Sequence, residues 1–277
     1  MTVDGTAHSV TDCFLEVTVH AWRTYPMKLK IFAITMATLF IGGIAPSVYG
    51  QQNQPQLMEI LEVQVKPELT AQYEAAVKEG MAWRKENGFP FPVFAFQLGL
   101  DNYRFVTRLG NWSGRDQVNQ WFAPFMTGDA AAFVEPLFGS IDNVAVSYQL
   151  TRPGLGYSPD NPRLAPGTAN AIHELRLYPK SGSMRQVRDV LEKFVEVYAN
   201  HDIQGGKLVW QQVAGTDGPV VTNYFGAAST EAFYANRASD LQEMGSDFQD
   251  LAQELAPLLR KSENLDWTTR RDLGYQP

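Results

Sequence analysis

The sequence predicts an α+β protein made of two tandem repeats, each with the element order β-α-β-β-α-β. A nine-residue motif occurs twice, because Thr151–Pro159 and Thr269–Pro277 both read T-R-x-x-L-G-Y-x-P. Other matches follow in the same order at nearly the same offset: EVQVKP from 62 with ELRLYP from 174, Val106-Thr107 with Val221-Thr222, and Pro136-Leu137 with Pro257-Leu258. This self-similarity indicates a tandem duplication. We predict a first repeat over 57–152, a linker over 153–168 and a second repeat over 169–277.

The first repeat opens with a partly alternating segment that predicts a strand and that Pro67 ends. Apolar residues at helical spacing follow and stop at Asn87-Gly88, which is typical of a helix C-terminus. Ser113 and Asp116 resemble a capping box and predict the start of the second helix. The strands are predicted at 57–65, 93–98, 103–109 and 143–150.

The linker is rich in proline and glycine, which argues against regular secondary structure. The second repeat then has the same order of elements. Its last helix has the most regular apolar spacing in the chain, from Leu241 to Leu258 in steps of three and four. Its strands are predicted at 171–178, 207–213, 220–225 and 265–270, and its first helix begins at the Ser183/Gln186 capping box.

Each repeat follows the ferredoxin-like plan, in which both helices cover one face of a four-stranded antiparallel sheet. The segments VFAFQL (93–98) and KLVWQQV (207–213) are apolar on both faces in places. The second face must therefore also be covered, and the other repeat is the obvious cover. We predict that the two sheets face each other as an intrachain α/β barrel. The chain would then be a pseudo-dimer that needs no obligate partner.

Composition and charge exclude some partners. The chain is 44% hydrophobic and 19% charged, as expected for a globular protein. Its net charge is -7 and no basic stripe is evident, which argues against nucleic acid and anionic lipid as partners.

Residues 1–50 read as a leader. Met27-Lys28-Leu29-Lys30 is a short basic start, followed by the apolar run 31–44 and a small-residue exit at Gly50. This is the plan of a secretory signal peptide, and the run is too short for a comfortable membrane span. We predict translation from Met27, export to the periplasm and no stable membrane insertion after cleavage. Cys13 is the only cysteine, so the exported chain has no disulfide and no cysteine ligand.

The chain resembles the dimeric α/β-barrel superfamily, which includes the antibiotic-biosynthesis monooxygenase-like and NIPSNAP-like proteins. IHELRLY at 172–178 is similar to the opening strand of NIPSNAP-like domains, and MEILEV at 58–63 is a weaker version. The resemblance implies a barrel of two facing sheets. Members include cofactor-independent monooxygenases, haem-binding enzymes and proteins of unknown activity, so the fold does not decide the function.

Strand alternation predicts which polar side chains point into the barrel. If Leu61, Val63, Leu175 and Leu177 pack on helices, their neighbours point inward. The predicted ligand-binding residues are Glu62, Gln64, Gln97, Glu174, Arg176, Tyr178, Trp210 and Gln212. Asp266, Trp267 and Trp112 are further candidates for the lining. The alternative is a structural Glu174–Arg176 ion pair with solvated glutamines at the barrel mouth. If a ligand binds, the planar donors of Arg176 favour an acidic or carbonyl-bearing one.

The two histidines outside the leader carry little chemistry. His173 should face the helices as a hydrogen-bonded core residue, and His201 follows a helix C-terminus, where a cation is favourable. Neither has partners at metal-ligand spacing. We predict no metal site and no cofactor.

Three functions stay open. The first is an exported protein that binds a small molecule between the two sheets. The second is a cofactor-independent monooxygenase-like enzyme, and the third is a non-catalytic interaction module whose barrel is packed solid. The sequence shows no catalytic base of suitable pKa, which favours binding over turnover.

Overall fold

The computed structural model describes residues 54–123, 131–215 and 218–277. The predicted leader lies outside these residues. The described residues form eight strands in the predicted order and five α-helices, because two helices lie between the third and fourth strands, where one is predicted. The strands are β1 (Leu57–Val65), β2 (Val93–Leu98), β3 (Asn102–Gly110), β4 (Ile141–Thr151), β5 (Ala171–Pro179), β6 (Leu208–Ala214), β7 (Val221–Ala227) and β8 (Leu259–Thr269). The helices are α1 (Thr70–Glu86), α2 (Trp112–Phe122), α3 (Ala131–Ser140), α4 (Met184–Asn200) and α5 (Thr230–Leu255).

The eight strands form one closed antiparallel barrel in the order β1-β3-β2-β8-β5-β7-β6-β4. Each repeat supplies four adjacent strands. Two seams join the repeats, because Phe96 in β2 pairs with Thr269 in β8, and Thr151 in β4 pairs with Trp210 in β6. The predicted tandem ferredoxin-like repeats and intrachain α/β barrel are therefore confirmed. The seams merge the two predicted sheets into a single sheet without free edges.

Strand alternation divides the barrel into an outer face under the helices and an inner face. In the first repeat Leu57, Val63 and Val65 point outward and pack with Tyr73 and Val77 of α1. In the second repeat Leu177, Val209 and Val221 pack in the same way with Val187 and Leu191 of α4. The side chains between these positions point into the barrel, where polar and apolar groups share the space.

The duplicated motif fastens each repeat to the other. After β4, Leu155 enters the core of the second repeat and Tyr157 pairs with Lys207. After β8, Leu273 enters the core of the first repeat and Tyr275 pairs with Val93. The first part of the predicted linker is thus packed onto the second repeat rather than extended between the two.

A glycine in each motif allows this close approach. A Cβ atom added at Gly156 would lie 2.9 Å from the Lys207 carbonyl oxygen, and one at Gly274 would lie 3.0 Å from that of Val93. A Cβ this near a backbone atom would require the chain to shift. The repeated L-G-Y therefore has a structural reason.

Several local predictions need correction. Asn111, not Ser113, caps α2, because its side chain accepts a hydrogen bond from the Gly114 amide. Strand β8 begins at Leu259, six residues before the predicted start. The apolar spacing of α5 hides a kink at Gly245, whose φ of 51° is not helical.

One sequence match also fails to correspond in the structure. The barrel pairs Leu61 with Phe105 and His173 with Phe225, so the β3 counterpart of Phe225 is Phe105. The match of Val106-Thr107 with Val221-Thr222 is therefore out of register.

Candidate functional site

Four charged side chains meet inside the barrel and form what we call the ion-pair cluster: Glu62, Arg104, Glu174 and Arg176. Glu174 forms an ion pair with Arg104 Nη1 and accepts a hydrogen bond from Arg176 Nε, both at 2.8 Å. Glu62 Oε1 accepts from Nη2 of the same two arginines, both at 2.5 Å. The cluster joins strands of both repeats, since Glu62 and Arg104 lie on β1 and β3 while Glu174 and Arg176 lie on β5.

Trp267 on β8 extends the ion-pair cluster. Its indole N–H donates to Glu174 Oε2 at 2.7 Å, and the Arg104 guanidinium lies over its ring, 4.0 Å from the ring centroid. Glu174 therefore accepts hydrogen bonds from Arg176 and Trp267 and forms an ion pair with Arg104. These partners allow a carboxylate with 0% exposure to stay inside the barrel.

The ion-pair cluster is closed at one side and open at the other. Glu174 and Arg104 are 0% and 3% exposed, whereas the side chains of Arg176 and Glu62 are 21% and 34% exposed. Burial by itself would raise the pKa of Glu62, but Arg104 and Arg176 outweigh it and lower that pKa below its usual value. The Glu62 carboxylate is therefore ionised at neutral pH, and the four charges sum to zero.

A cavity of about 230 Å³ lies against the open side of the ion-pair cluster, towards the end of the barrel where β1 finishes. It is smaller than ordinary ligand pockets, which start at about 300 Å³. Both repeats line it, and its walls carry amides and apolar groups beside the two charges. The side chains that line it from the inner face are Glu62, Gln64, Leu98, Asn102, Asn143, Ala145, Arg176, Leu265 and Trp267.

The structure brings some of the predicted site residues together. Glu62, Gln64 and Arg176 line the cavity, and Glu174 lies beneath them in the ion-pair cluster. Tyr178 also faces the interior, but its hydroxyl donates to Glu263 at 2.7 Å. Trp210, with Gln212 on the same face of β6, lies deeper, where Trp210 packs on Met58, Ile60 and Val106.

The predicted inward orientation of Gln97 is wrong. Its amide nitrogen donates to the Tyr103 hydroxyl and its oxygen accepts from Arg270, both on the outer face of the barrel. The reason is the phase of β2, because Val93 and Ala95 are the residues buried under the helices. Phe94, Phe96 and Leu98 consequently point inward.

Sequence reasoning missed Arg104, Asn102 and Asn143 and weighed Trp267 only as a secondary candidate. Arg104 and Asn102 alternate on one face of β3, so the signal was present in the strand NYRFVTRLG. What the sequence does not display is the register that places Arg104 opposite Glu62. The other two secondary candidates lie on the outer face, where Asp266 contacts His173 and the ring of Trp112 lies 5.2 Å from that of Tyr148.

His173 faces the helices as predicted. Its ring stacks on Phe233 of α5 at 4.1 Å, and its Nδ1 lies 2.8 Å from Asp266 Oδ1. His201 Nε2 lies 3.0 Å from Asp247. Within 54–123, 131–215 and 218–277, no group of three or more His, Cys, Asp or Glu side chains could hold a metal ion. None of the helices in that part of the chain is both long and apolar enough to span a membrane.

Solved structures with the same architecture support the fold assignment. The chain is similar to an anthrone oxidase-like protein, with a TM-score of 0.54, 10% sequence identity and coverage of 79% of this chain and 93% of that one. It is also similar to a putative monooxygenase from Lactobacillus acidophilus (TM-score 0.51, 10% identity, 80% and 97% coverage). A third similar structure is a putative monooxygenase from Fusobacterium nucleatum (TM-score 0.51, 10% identity, 78% and 92% coverage).

No protein-family model matches the sequence, and a search of curated proteins finds no match. At 10% identity the structural similarity concerns the fold alone. The fold is that of a dimeric α/β barrel, with both halves of the barrel supplied here by one chain.

Proposed function

We propose that the protein binds a small molecule in the cavity between its two repeats. The observation that carries this proposal is the arrangement around Glu62 and Arg176. These two side chains are the more exposed members of the ion-pair cluster, and they line the cavity instead of packing against other protein groups. Ligand sites typically place convergent polar groups beside apolar walls, as the lining of this cavity does.

The chemistry of the lining favours binding over turnover. A general base works best when its pKa lies near the operating pH. Glu62 is the only carboxylate among the described residues that line the cavity, and the two arginines lower its pKa below the usual value. This shift moves the pKa of Glu62 further from neutrality, so the carboxylate is poorly suited to exchange protons with a substrate.

The test fills the cavity from the Ala145 position. Ala145 lies on β4 directly opposite Glu62, so Ala145→Phe would place a ring in the cavity. Leu208→Phe is the matched control, because Leu208 is an exposed residue on β6 that does not line the cavity. We expect compounds that raise the melting temperature of the wild type to raise that of Leu208→Phe equally and that of Ala145→Phe not at all. Equal shifts in all three proteins would refute the cavity as the binding site.

A second candidate is a cofactor-independent monooxygenase-like enzyme. Its specific support is the structural similarity to an anthrone oxidase-like protein and to a putative monooxygenase. Under this alternative, a compound that binds the cavity would be oxidised without added cofactor. An oxygen electrode distinguishes the two functions, since simple binding consumes no oxygen, and Ala145→Phe is the control for turnover in the cavity.

We also propose that the protein acts outside the cytoplasm, in the periplasm of the producing cell. The support is the basic start at Met27 and the apolar run that follows it. N-terminal sequencing of the secreted protein should begin just after Gly50. A peptide from residues 1–26 in the unprocessed precursor would contradict translation from Met27.

A further inference from the structure

We propose that the cavity selects a ligand that donates a hydrogen bond to Glu62 and carries no negative charge, namely a single-ring-sized molecule with a hydroxyl or an ammonium group. This inference rests on the proposed binding function and specifies its ligand class.

The first observation is that the two oxygens of the Glu62 carboxylate accept different numbers of hydrogen bonds. Oε1 accepts three hydrogen bonds, from Arg104 Nε at 3.1 Å, Arg104 Nη2 at 2.5 Å and Arg176 Nη2 at 2.5 Å. Oε2 accepts none from any residue that the structure describes. A carboxylate offers about four acceptor positions over its two oxygens. Because Glu62 lines the cavity and is one-third exposed, Oε2 is the acceptor left for a ligand.

The second observation is that the positive charge of Arg176 is already compensated by two carboxylates. Arg176 is the only arginine among the lining residues, and it bonds Glu174 through Nε and Glu62 through Nη2. An entering anion would meet an arginine shared by two carboxylates, and it would approach the free oxygen of Glu62 with like charge. This geometry argues against the acidic ligand that the side chain of Arg176 alone suggested.

The remaining lining sets the size and body of the ligand. Leu98, Leu265 and Trp267 form apolar walls. The side-chain amides of Gln64, Asn102 and Asn143 can hydrogen-bond either a donor or an acceptor of the ligand. A cavity of about 150 Å³ accommodates benzene. The 230 Å³ cavity is therefore suited to one ring with one polar substituent.

The test compares four probes of similar size: benzyl alcohol, benzylamine, benzaldehyde and benzoate. Affinities are measured by ligand-observed NMR titration of the chain without its leader. We expect benzyl alcohol and benzylamine to bind more tightly than benzaldehyde, which only accepts hydrogen bonds, and benzoate to bind most weakly. This ranking requires no variant, so it does not depend on the folding of any substitution.

The variant Glu62→Gln sharpens the test. Three N–H groups converge at the Oε1 position, so the glutamine oxygen should remain there and its NH₂ should replace Oε2. The variant thus turns the free acceptor into a donor. Losing one charge-assisted hydrogen bond should weaken benzyl alcohol and benzylamine by about 10- to 100-fold, and benzaldehyde should gain affinity. Glu263→Gln is the matched control, because it removes a carboxylate that bonds Tyr178 and Lys261 and does not line the cavity.

The outcomes separate the two proposals. If benzoate or benzaldehyde binds at least as tightly as benzyl alcohol, and Ala145→Phe abolishes that binding, the cavity binds ligands but the donor rule is wrong. The donor rule is also wrong if folded Glu62→Gln retains full affinity for benzyl alcohol. If none of the four probes binds the wild type, both the ligand class and the proposed function fail.

Discussion

Replacing Glu174 with leucine should cost far more stability than replacing an exposed glutamate. Glu174 is fully buried, forms an ion pair with Arg104 and accepts hydrogen bonds from Arg176 and the Trp267 indole. Glu174→Leu has similar volume but leaves the 3%-exposed Arg104 with only Glu62 as a counter-charge. Removing one partner of a buried ion pair costs about 3–5 kcal/mol, so we expect a loss in that range.

The control is Glu254→Leu at the exposed pair Lys193–Glu254, whose side chains are 48% and 46% exposed. Exposed pairs contribute about 0–1 kcal/mol. Equilibrium urea unfolding of residues 51–277 measures both losses. A loss below about 1 kcal/mol for Glu174→Leu, matching the control, would refute our account of the ion-pair cluster.

A double variant separates charge from packing. Glu174→Leu combined with Arg104→Met removes both charges, and buried ion pairs can be replaced by apolar residues at little cost. We expect the double variant to be more stable than Glu174→Leu alone. If it is less stable by the sum of the two single losses, packing rather than uncompensated charge determines the loss.

Three further predictions concern stability. The pKa of Glu62 is lowered in the folded state, so the ionised carboxylate stabilises the fold above the ordinary glutamate pKa of about 4.5, and this stabilisation is lost as the pH falls below that value. The urea midpoint of Glu62→Gln should therefore fall less between pH 5 and pH 3 than that of the wild type. Burial, with a smaller effect of Arg237, lowers the pKa of Lys207 from 10.5 to about 8. Between these two pH values the folded state binds fewer protons than the unfolded state, so the free energy of unfolding of the wild type should rise over pH 8 to 10.5 and that of Lys207→Met should not. Identical pH profiles for the two proteins would contradict the burial of the Lys207 ammonium group. Leu273→Ala should cost about 2–5 kcal/mol in urea unfolding although it lies close to the last residue, because its side chain is fully buried in the core of the first repeat, and a loss near zero would mean that the second copy of the motif does not fasten the repeats.

The sequence predicted the parts of the fold that follow from local pattern. Strand β1 and strand β2 have the predicted bounds, and the alternation around Leu61 and His173 assigned the inner and outer faces of β1 and β5 correctly. Glu62, Gln64 and Arg176 could be placed inside the barrel for the same reason. The Gly-containing motif indicated the duplication. It occurs in both repeats because the backbone of each copy passes close to a neighbouring strand.

What the sequence could not supply is pairing between distant segments. Both faces of β2 are apolar, so the sequence alone does not show which face the helices cover. The predicted orientation of Gln97 was wrong for this reason. Arg104 lies 42 residues from Glu62, and only the β1–β3 register brings them together. The seams between the repeats likewise depend on the closure of the barrel, which no local periodicity encodes.

The most direct measurement is a crystal structure of residues 51–277 soaked with benzyl alcohol. Our account predicts the ring between Leu265 and Trp267, with the hydroxyl oxygen about 2.5–3.0 Å from Glu62 Oε2. An empty cavity at saturating probe would contradict the proposed binding function. A ring in the cavity whose hydroxyl turns to Arg176 and leaves Oε2 without a partner would contradict the ligand class.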